Sequence, residues 1–246
     1  QACGEVGLGR LVNFESMMLD VRKVISHQIF LNKKILISSG ATLEKIDEAR
    51  AITNLSSGLM GLNLAKEAYA MGADVTVISG HSNYEFPPCI RTIKAIDHDA
   101  MYQSIISNIE KNDIYISAAA ISDYKPLYTP GKIKKKNENI SLELKKTKDI
   151  LSYVSKHFGH KFIVGFAAES ENLIENARDK LISKNLDIVV ANTIKDSMGK
   201  PKAKMVIIDE NENTPLPEAE KEVQSRIILE HIFKFFSKAK TYDSIN

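Results

Sequence analysis

The feature that most constrains the fold is a regular alternation of short apolar runs with stretches of helical periodicity. Apolar runs at 33–40, 73–80, 90–96, 113–120, 162–168 and 186–192 predict strands, and the periodic stretches at about 58–71, 97–112, 149–158 and 172–184 predict helices. Strands that alternate with helices at this spacing form parallel sheets joined by right-handed crossovers. The sequence therefore predicts an α/β fold: a Rossmann-like, doubly wound, mostly parallel sheet with helices on both faces, whose ligands bind at the carboxyl ends of the strands.

The two ends of the chain depart from this alternation. An apolar run at 205–209 and a polar turn with Asn211, Asn213 and Pro215 predict a C-terminal edge hairpin, and a helix is expected at about 218–237. At the other end, a glycine-containing segment is followed by an amphipathic stretch at 15–30. We interpret residues 1–31 as an appendage or linker and residues 32–246 as one domain.

Composition excludes several classes of protein. The formal net charge is +2, from 33 basic and 31 acidic side chains, which is too balanced for a protein that coats nucleic acid. No apolar run approaches the ~18 to 20 residues that span a bilayer, so we expect a cytoplasmic protein without a membrane partner. The two cysteines, Cys3 and Cys89, lie far apart in the sequence and give no support for a disulfide framework or a zinc site.

The first candidate for a binding site is the connection between the first strand and the following helix. Small residues before a helix expose backbone N–H groups at its positive end, which is a natural phosphate cradle. The cradle residues would be Gly40, Ser56, Ser57 and Gly58. The alternative is a plain turn with a serine as helix cap.

A dinucleotide site is the obvious rival in a fold of this kind. It requires a G-x-G-x-x-G turn directly after the first strand and an acidic residue at the end of the second. Neither is present, because the loop after Gly40 is long and the second strand ends with Ile78, Ser79 and Gly80. These absences argue against NAD or NADP.

Two further segments offer polar groups beside flexible or small residues. The strand that ends with Ser117, Ala118 and Ala119 permits close approach of a flat base or a ribose, and Asp123 follows it, although a lone loop aspartate is often only a turn residue. In the run from Lys132 to Lys136, an extended backbone places Lys132, Lys134 and Lys136 on one face and Ile133 on the other. Such runs are more often merely solvated.

The remaining candidates are weak when taken singly. Residues Lys148, Asp149, Ile150 and Leu151 open a predicted helix, Phe166 lies near the end of a strand, and Lys180 and Lys184 share one face of the next helix. Phe166 would usually be a core residue. Lysines four positions apart usually serve solubility.

Taken together, the segments ISSGATLEKIDEARAITNLSSGLMG, AAAISDYKP, KIKKK, LELKKTKDIL, GFAAESENL and LISKNLDIVVAN resemble, in order and spacing, the phosphopantothenoylcysteine synthetase family. The resemblance covers about residues 33–192. It implies an enzyme of coenzyme A biosynthesis that uses CTP and Mg²⁺ to join 4'-phosphopantothenate to L-cysteine. The family's reaction passes through an acyl cytidylate and releases pyrophosphate and then CMP.

The resemblance also implies roles for individual residues. Lys132 would neutralise charge in the first step, and Asn54 matches an asparagine that is linked to the second. The nucleotide site would consist of Ser117, Ala118, Ala119, Asp123, Lys132, Lys148, Asp149, Ile150, Leu151, Phe166, Lys180 and Lys184. The metal ligands are not indicated. The family usually forms dimers, so a homodimer is expected.

The first ten residues resemble the end of the flavin-dependent decarboxylase that precedes the synthetase in bifunctional bacterial enzymes. Cys3 would match the cysteine that donates a proton from a substrate flap, and FMN would be bound only by the decarboxylase part. The resemblance thus implies that residues 1–31 are the remnant of this flap and a linker, and that this chain lacks decarboxylase activity. It also implies that the full-length enzyme forms a larger oligomer. Two rival functions stay open: an NAD(P) oxidoreductase of the short-chain type, and a nucleotide-binding regulatory module.

Overall fold

The computed structural model describes residues 13–134, 139–197 and 200–243. The helices are α1 Phe14–Ile25, α2 Leu59–Ala70, α3 His98–Ile109, α4 Ile150–His157, α5 Leu173–Ser183, α6 Ile194–Ser197 and α7 Lys221–Asp243. The strands are β1 Lys34–Ser39, β2 Leu43–Lys45, β3 Ala51–Thr53, β4 Asp74–Ser79, β5 Arg91–Lys94, β6 Ile114–Ser117, β7 Tyr124–Pro126, β8 Leu144–Lys146, β9 Phe162–Glu169, β10 Ile188–Thr193, β11 Lys202–Ala203, β12 Met205–Ile208, β13 Asn213–Pro215 and β14 Ala219–Glu220.

The main sheet confirms the predicted architecture. Its strand order is β13-β12-β10-β9-β6-β1-β4-β5. In this sheet β10, β9, β6, β1, β4 and β5 pair in parallel. Strands β12 and β13 form an antiparallel hairpin at the edge, as the sequence predicted. Strands β4 and β5 lie on one side of β1, whereas β6, β9 and β10 lie on its other side. The strand order therefore reverses between β1 and β6. In open α/β sheets, ligands bind in the crevice at such a reversal.

The helices cover both faces of the sheet. On one face, α1, α2 and α7 contribute Leu19, Leu64 and Ile228 to a core cluster. On the other, α3, α4 and α5 contribute a second cluster that includes Met101 and Val154. Burial on both faces explains why the parallel strands are continuous apolar runs instead of alternating patterns.

Three two-stranded ribbons lie outside the main sheet: β2 with β3, β7 with β8, and β11 with β14. None of these ribbons was predicted from the sequence. Their strands are two or three residues long, and β8 is exposed at all three positions. Such short, polar strands carry no periodic signal. The first two ribbons border the site described below.

The described part of the predicted appendage packs on the domain. Helix α1 lies against α2, Leu19 is 2% exposed, and Asp20 accepts a hydrogen bond from Tyr69 Oη at 2.6 Å. Arg22 forms an ion pair with the buried carboxylate of Glu67. The division at residue 31 stays a prediction. Among the described residues, no helix combines the length and the apolar character that crossing a bilayer requires.

Gly61 permits the close approach of α2 to β1. A Cβ atom at Gly61 would lie 2.0 Å from Ser39 Oγ and 2.4 Å from Ser39 Cβ. We expect Gly61→Ala to lower the free energy of unfolding by about 2 kcal/mol, because overpacking displaces the helix from the sheet. Denaturant unfolding measures this loss. A Ser39→Gly background removes both clashing atoms, so a loss of the same size in that background would contradict the explanation.

Candidate functional site

A cavity of about 600 Å³ lies at the carboxyl ends of the central strands, beside the reversal between β1 and β6. Its size falls in the range of small-molecule sites. The lining residues are three continuous segments and eight single residues: Thr53–Met60, Ser117–Asp123, Thr147–Leu151, and Phe166, Ala168, Lys180, Lys184, Asn192, Ile194, Met205 and Lys221. The structure thus brings together most of the residues that the sequence analysis singled out.

The first wall is the loop that leads into α2. Ser56, Ser57 and Gly58 line the cavity, and Gly58 has a φ of +81° directly before the helix. A Cβ atom there would lie 2.3 Å from Ser82 Oγ, so both the backbone angle and the space require glycine. Its position at the helix N-terminus is where an anion is favoured.

Gly40, the fourth residue of the predicted cradle, has a different place. It is not among the cavity-lining residues of the described part of the chain. Its φ is +81°, and a Cβ atom would lie 2.5 Å from the carbonyl oxygen of His81. Gly40 therefore lets the chain after β1 pass close to the loop after β4. Its part in phosphate binding stays a prediction.

Asn54 lies where β3 ends at the cavity. Its Nδ2 donates a hydrogen bond of 3.0 Å to the carbonyl oxygen of Ala120. The same oxygen accepts a bond from the backbone N–H of Thr42 at 3.2 Å. The side chain therefore joins the first wall to the loop after β6.

The second wall is the loop after β6. Ser117, Ala118 and Ala119 line the cavity with small side chains, and exposed Asp123 lies at the end of the loop. The backbone N–H of Thr147 donates to the carbonyl oxygen of Asp123 at 2.9 Å. This bond holds the second wall against the start of α4.

The third wall is the N-terminus of α4. Asp149 caps the helix by accepting from Ser152 N at 3.0 Å, and it forms an ion pair of 2.6 Å with Lys184. Burial opposes ionisation of Asp149, but Lys184 and the bond from Ser152 prevail and lower its pKa. Asp149 is thus a structural anion that orients Lys184. Lys148 also lines the cavity, and its ammonium lies 5.1 Å from the centre of the Tyr102 ring.

Lys180 lies deeper in the same wall. Its Nζ donates to the carbonyl oxygen of Phe166 at 2.6 Å, and burial, with the neighbouring charge of Lys184, lowers its pKa. Phe166 is half-buried, lining the cavity and packing against the core. Phe166 therefore packs in the core and also presents part of its ring to the cavity.

Several site residues were missed by the sequence analysis. Thr147, Asn192, Met205 and Lys221 line the cavity, and Lys221 is only 7% exposed, so that burial lowers its pKa. His98 supports the third wall from outside, because its Nε2 lies 2.8 Å from the carbonyl oxygen of Lys148. Thr147 is a single loop residue and the others are single residues in ordinary helices or strands, so no local pattern marks them. Their positions follow only from the tertiary fold.

The lysine run is not part of the cavity lining in the described ranges. Lys132 is exposed and is not among the residues that line the cavity in the described ranges. As expected for an extended run, Lys134 is also exposed while Ile133 is half-buried. Cys3 and Lys136 fall outside the described residues. The chemical roles of all these residues stay predictions.

Among the residues that line the cavity, the carboxylates of Asp123 and Asp149 are the groups that could bind a magnesium ion. In the described ranges, no group of three or more His, Cys, Asp or Glu side chains is arranged as a metal site. Asp149 is engaged by Lys184, which leaves the carboxylate of Asp123 as the most suitable oxygen donor. Magnesium is commonly held by one or two carboxylates together with substrate phosphates.

The family model for the DNA/pantothenate metabolism flavoprotein C-terminal domain matches residues 30–236. The chain belongs to this family. A coenzyme A biosynthesis bifunctional protein CoaBC from Borreliella burgdorferi is 37% identical over 241 residues, which cover 94% of this chain and 60% of that protein. The CoaBC protein of Escherichia coli is 34% identical over 203 residues, or 79% of this chain and 49% of that protein. The chain thus spans about half of each curated relative.

Solved structures of this family place the match in the C-terminal part. The crystal structure of the C-terminal domain of a CoaBC protein has a TM-score of 0.74 at 30% identity and covers 86% of this chain and 99% of that chain. A Cab2 mutant in complex with phosphopantothenate-cysteine has a TM-score of 0.70 at 15% identity, a likeness of fold. The resemblance to the synthetase family, as the C-terminal part of the bifunctional protein, is therefore confirmed.

Proposed function

We propose that this chain is a CTP-dependent phosphopantothenate–cysteine ligase of coenzyme A biosynthesis. The observation that carries the proposal is the composition of the cavity, where a helix N-terminus at Gly58, a second at Asp149 and the lysines of α5 and its C-cap, Lys180 and Lys184, surround one space. The favourable ends of two helices and two cations suit a polyanion. A nucleoside triphosphate is such a ligand, and CTP is the one that the family resemblance implies.

The base and ribose are proposed to lie between the second and third walls. Phe166 offers one aromatic face, and the small side chains of Ser117, Ala118 and Ala119 leave the backbone accessible to a flat ligand. The N–H groups of Ile150 and Leu151 belong to the first turn of α4, where they have no partner within the helix. They are available to the hydrogen-bond acceptors of a pyrimidine.

The first chemical step is attack of the phosphopantothenate carboxylate on the α-phosphorus of CTP. A carboxylate oxygen forms a new bond to the α-phosphorus while the bond between this phosphorus and the departing pyrophosphate breaks. Both reactants are anions. Lys132 is proposed to neutralise the charge that develops on the phosphoryl oxygens. Magnesium, held by Asp123 and the phosphates, would supply further charge neutralisation when bound.

The second step is attack of the cysteine amine on the acyl carbon, which breaks the acyl–phosphate bond and releases CMP. Asn54 is proposed to hold the acyl cytidylate through its amide, which can donate and accept hydrogen bonds but does not act as a base near neutral pH. Its bond to Ala120 fixes the orientation of the side chain at the cavity. One amide proton remains for the acyl oxygen.

Pyrophosphate release tests the proposal directly. The purified chain is incubated with CTP and magnesium, with and without 4'-phosphopantothenate, and pyrophosphate is measured. We expect release only when both are present. Release without phosphopantothenate would indicate simple nucleotide hydrolysis, and CTP binding without any release would favour the regulatory module. Stabilisation of the fold by NAD(P) in place of CTP would favour the oxidoreductase.

The pH dependence of CTP binding tests the role of Lys180. Burial and Lys184 lower the pKa of Lys180, so it loses its proton at a lower pH than the usual lysine pKa of about 10.4. We expect the affinity for CTP to begin falling correspondingly earlier as the pH rises, as measured by calorimetry. In Lys180→Arg the charge persists at every pH tested, so the fall is delayed. Superimposable curves for the two proteins would contradict the role.

The assembly of the protein is also a proposal. We propose that the ligase acts as a homodimer, within a larger oligomer when the decarboxylase is attached, and that FMN and the proton donated by Cys3 concern that attached part. The cytoplasm is the expected location. Light scattering of this chain measures the mass, and a fully active monomer would contradict the dimer.

A further inference from the structure

A hydrogen-bonded clamp joins the tip of the β2–β3 hairpin to the lysine run, and its members are Asp47, Arg50 and Ile133. Asp47 Oδ1 accepts from the backbone N–H groups of Ala49 and Arg50, both at 2.8 Å. Asp47 Oδ2 accepts from Arg50 Nε at 3.0 Å and from Ile133 N at 3.0 Å. Arg50 Nη2 in turn donates to the carbonyl oxygen of Ile133 at 2.8 Å. Both backbone groups of Ile133 are therefore held by the hairpin.

Both carboxylate oxygens of Asp47 accept hydrogen bonds, although the turn alone requires only one of them. A turn aspartate needs one oxygen to accept the two following N–H groups. Here the second oxygen is directed at a residue that lies 86 positions away in the sequence. The side chain is only 1% exposed, and the guanidinium of Arg50 holds the pKa of Asp47 well below its usual range. The carboxylate is thus ionised throughout the neutral range.

Asp209 provides a natural comparison. It is fully buried, and its Oδ1 also accepts from the N–H groups two and three residues later, Asn211 at 2.8 Å and Glu212 at 3.0 Å. Its Oδ2 lies 3.1 Å from His231 Nε2. Asp209 follows Ile208, which pairs with Val189 near the start of β10, so it lies at the end of the sheet opposite the cavity. The two aspartates share the same local turn but differ in the partner of Oδ2, which is Ile133 N for Asp47 and His231 Nε2 for Asp209.

The clamp lies next to Lys132, and its hairpin leads to Asn54, so it is connected to the residues proposed for both chemical steps. Ile133 directly follows Lys132, and a further bond of 2.9 Å runs from Thr129 N to the carbonyl oxygen of Ile46 in the same turn. The other end of the hairpin leads through Thr53 to Asn54 at the cavity. One ribbon therefore connects the backbone of the lysine run to the first wall of the site.

We propose that Asp47 is a positioning residue for Lys132: by fixing both backbone groups of Ile133, it sets where the lysine side chain begins. A lysine side chain has four rotatable bonds, so an unfixed backbone would spread its ammonium over a large volume. Fixing the backbone lowers the entropy lost when the ammonium reaches the reacting phosphate. This inference rests on the proposed function, because it assumes that Lys132 acts on the first step.

The test is Asp47→Asn, which keeps the shape of the side chain and one acceptor oxygen for the turn. The amide nitrogen that replaces Oδ2 cannot accept from Ile133 N. We expect faster hydrogen exchange of the Ile133 amide and a fall of roughly tenfold or more in the rate of pyrophosphate release, with the Kd for CTP unchanged. Asp209→Asn is the matched control and should leave both the exchange at Ile133 and the rate as in the wild type. If Asp47→Asn does not fold, Asp47→Ser retains a turn acceptor that is too short to reach Ile133.

The outcomes separate this inference from the proposed function. A wild type that releases no pyrophosphate with both substrates overturns the proposed function and the positioning role together. A wild type that is active and is impaired by Lys132→Ala, but is unaffected by Asp47→Asn, overturns the positioning role alone. Equal losses in Asp47→Asn and Asp209→Asn overturn it as well, because they would reflect general destabilisation.

Discussion

Lys132→Ala is expected to slow the formation of the acyl cytidylate about a hundredfold while leaving the fold intact. Removal of one positioned charge from a phosphoryl-transfer or oxyanion site typically costs ~3 kcal/mol of transition-state stabilisation, which corresponds to that factor in rate. The side chain is exposed, so its truncation leaves no cavity in the core. Single-turnover release of pyrophosphate measures the step.

Lys134→Ala is the matched control for this prediction. Lys134 is exposed on the same face of the run and differs from Lys132 chiefly in its place relative to Ile133. We expect a much smaller effect from it. If Lys132→Ala releases pyrophosphate at the wild-type rate, Lys132 has no role in the first step. Equal losses of rate in the two variants would indicate that the run acts through its total charge.

The layered sheet was predictable because its strands are buried on both faces. Leu36 packs on one face and Ile35 and Ile37 on the other, and all three are 0% exposed. A continuous apolar run of this kind is typical of a parallel strand that is covered by helices on both faces. The ribbon β7–β8 was not predictable, because it is stabilised by pairing between segments separated by the lysine run and exposes most of its side chains. Nothing in either segment alone identifies its partner.

The site was predictable where it follows from the topology. Parallel strands end at one edge, so the residues after β6 and near the end of β9 had to lie close to the loop before α2. Lys221 was not predictable in this way, since it comes from a helix that follows the antiparallel edge hairpin. The backbone next to Lys132 is held by the clamp at Asp47, whose bond to Ile133 joins residues 86 positions apart. Tertiary hydrogen bonds of this kind leave no periodic trace in the sequence.

Asn54 has a structural interpretation that differs from a simple cap. As a capping or turn residue it would contribute ~1 kcal/mol and no chemistry. Instead its amide reaches across to the carbonyl oxygen of Ala120 at 3.0 Å. An aspartate at this position would place a carboxylate oxygen against that carbonyl oxygen, so a loss of about 1 kcal/mol in unfolding free energy is expected from Asn54→Asp.

The effect of Asn54→Asp on catalysis should be far larger than its effect on stability. We expect a normal first release of pyrophosphate, followed by accumulation of the acyl cytidylate and a fall of roughly a hundredfold in product formation. The physical reason is that a negative charge beside the acyl carbonyl opposes its polarisation, whereas the attack on phosphorus does not use this residue. Rapid quenching and mass detection of the intermediate measure the two steps separately. If product forms from cysteine at the normal rate and no intermediate accumulates, Asn54 serves only to join the loops on either side of the cavity.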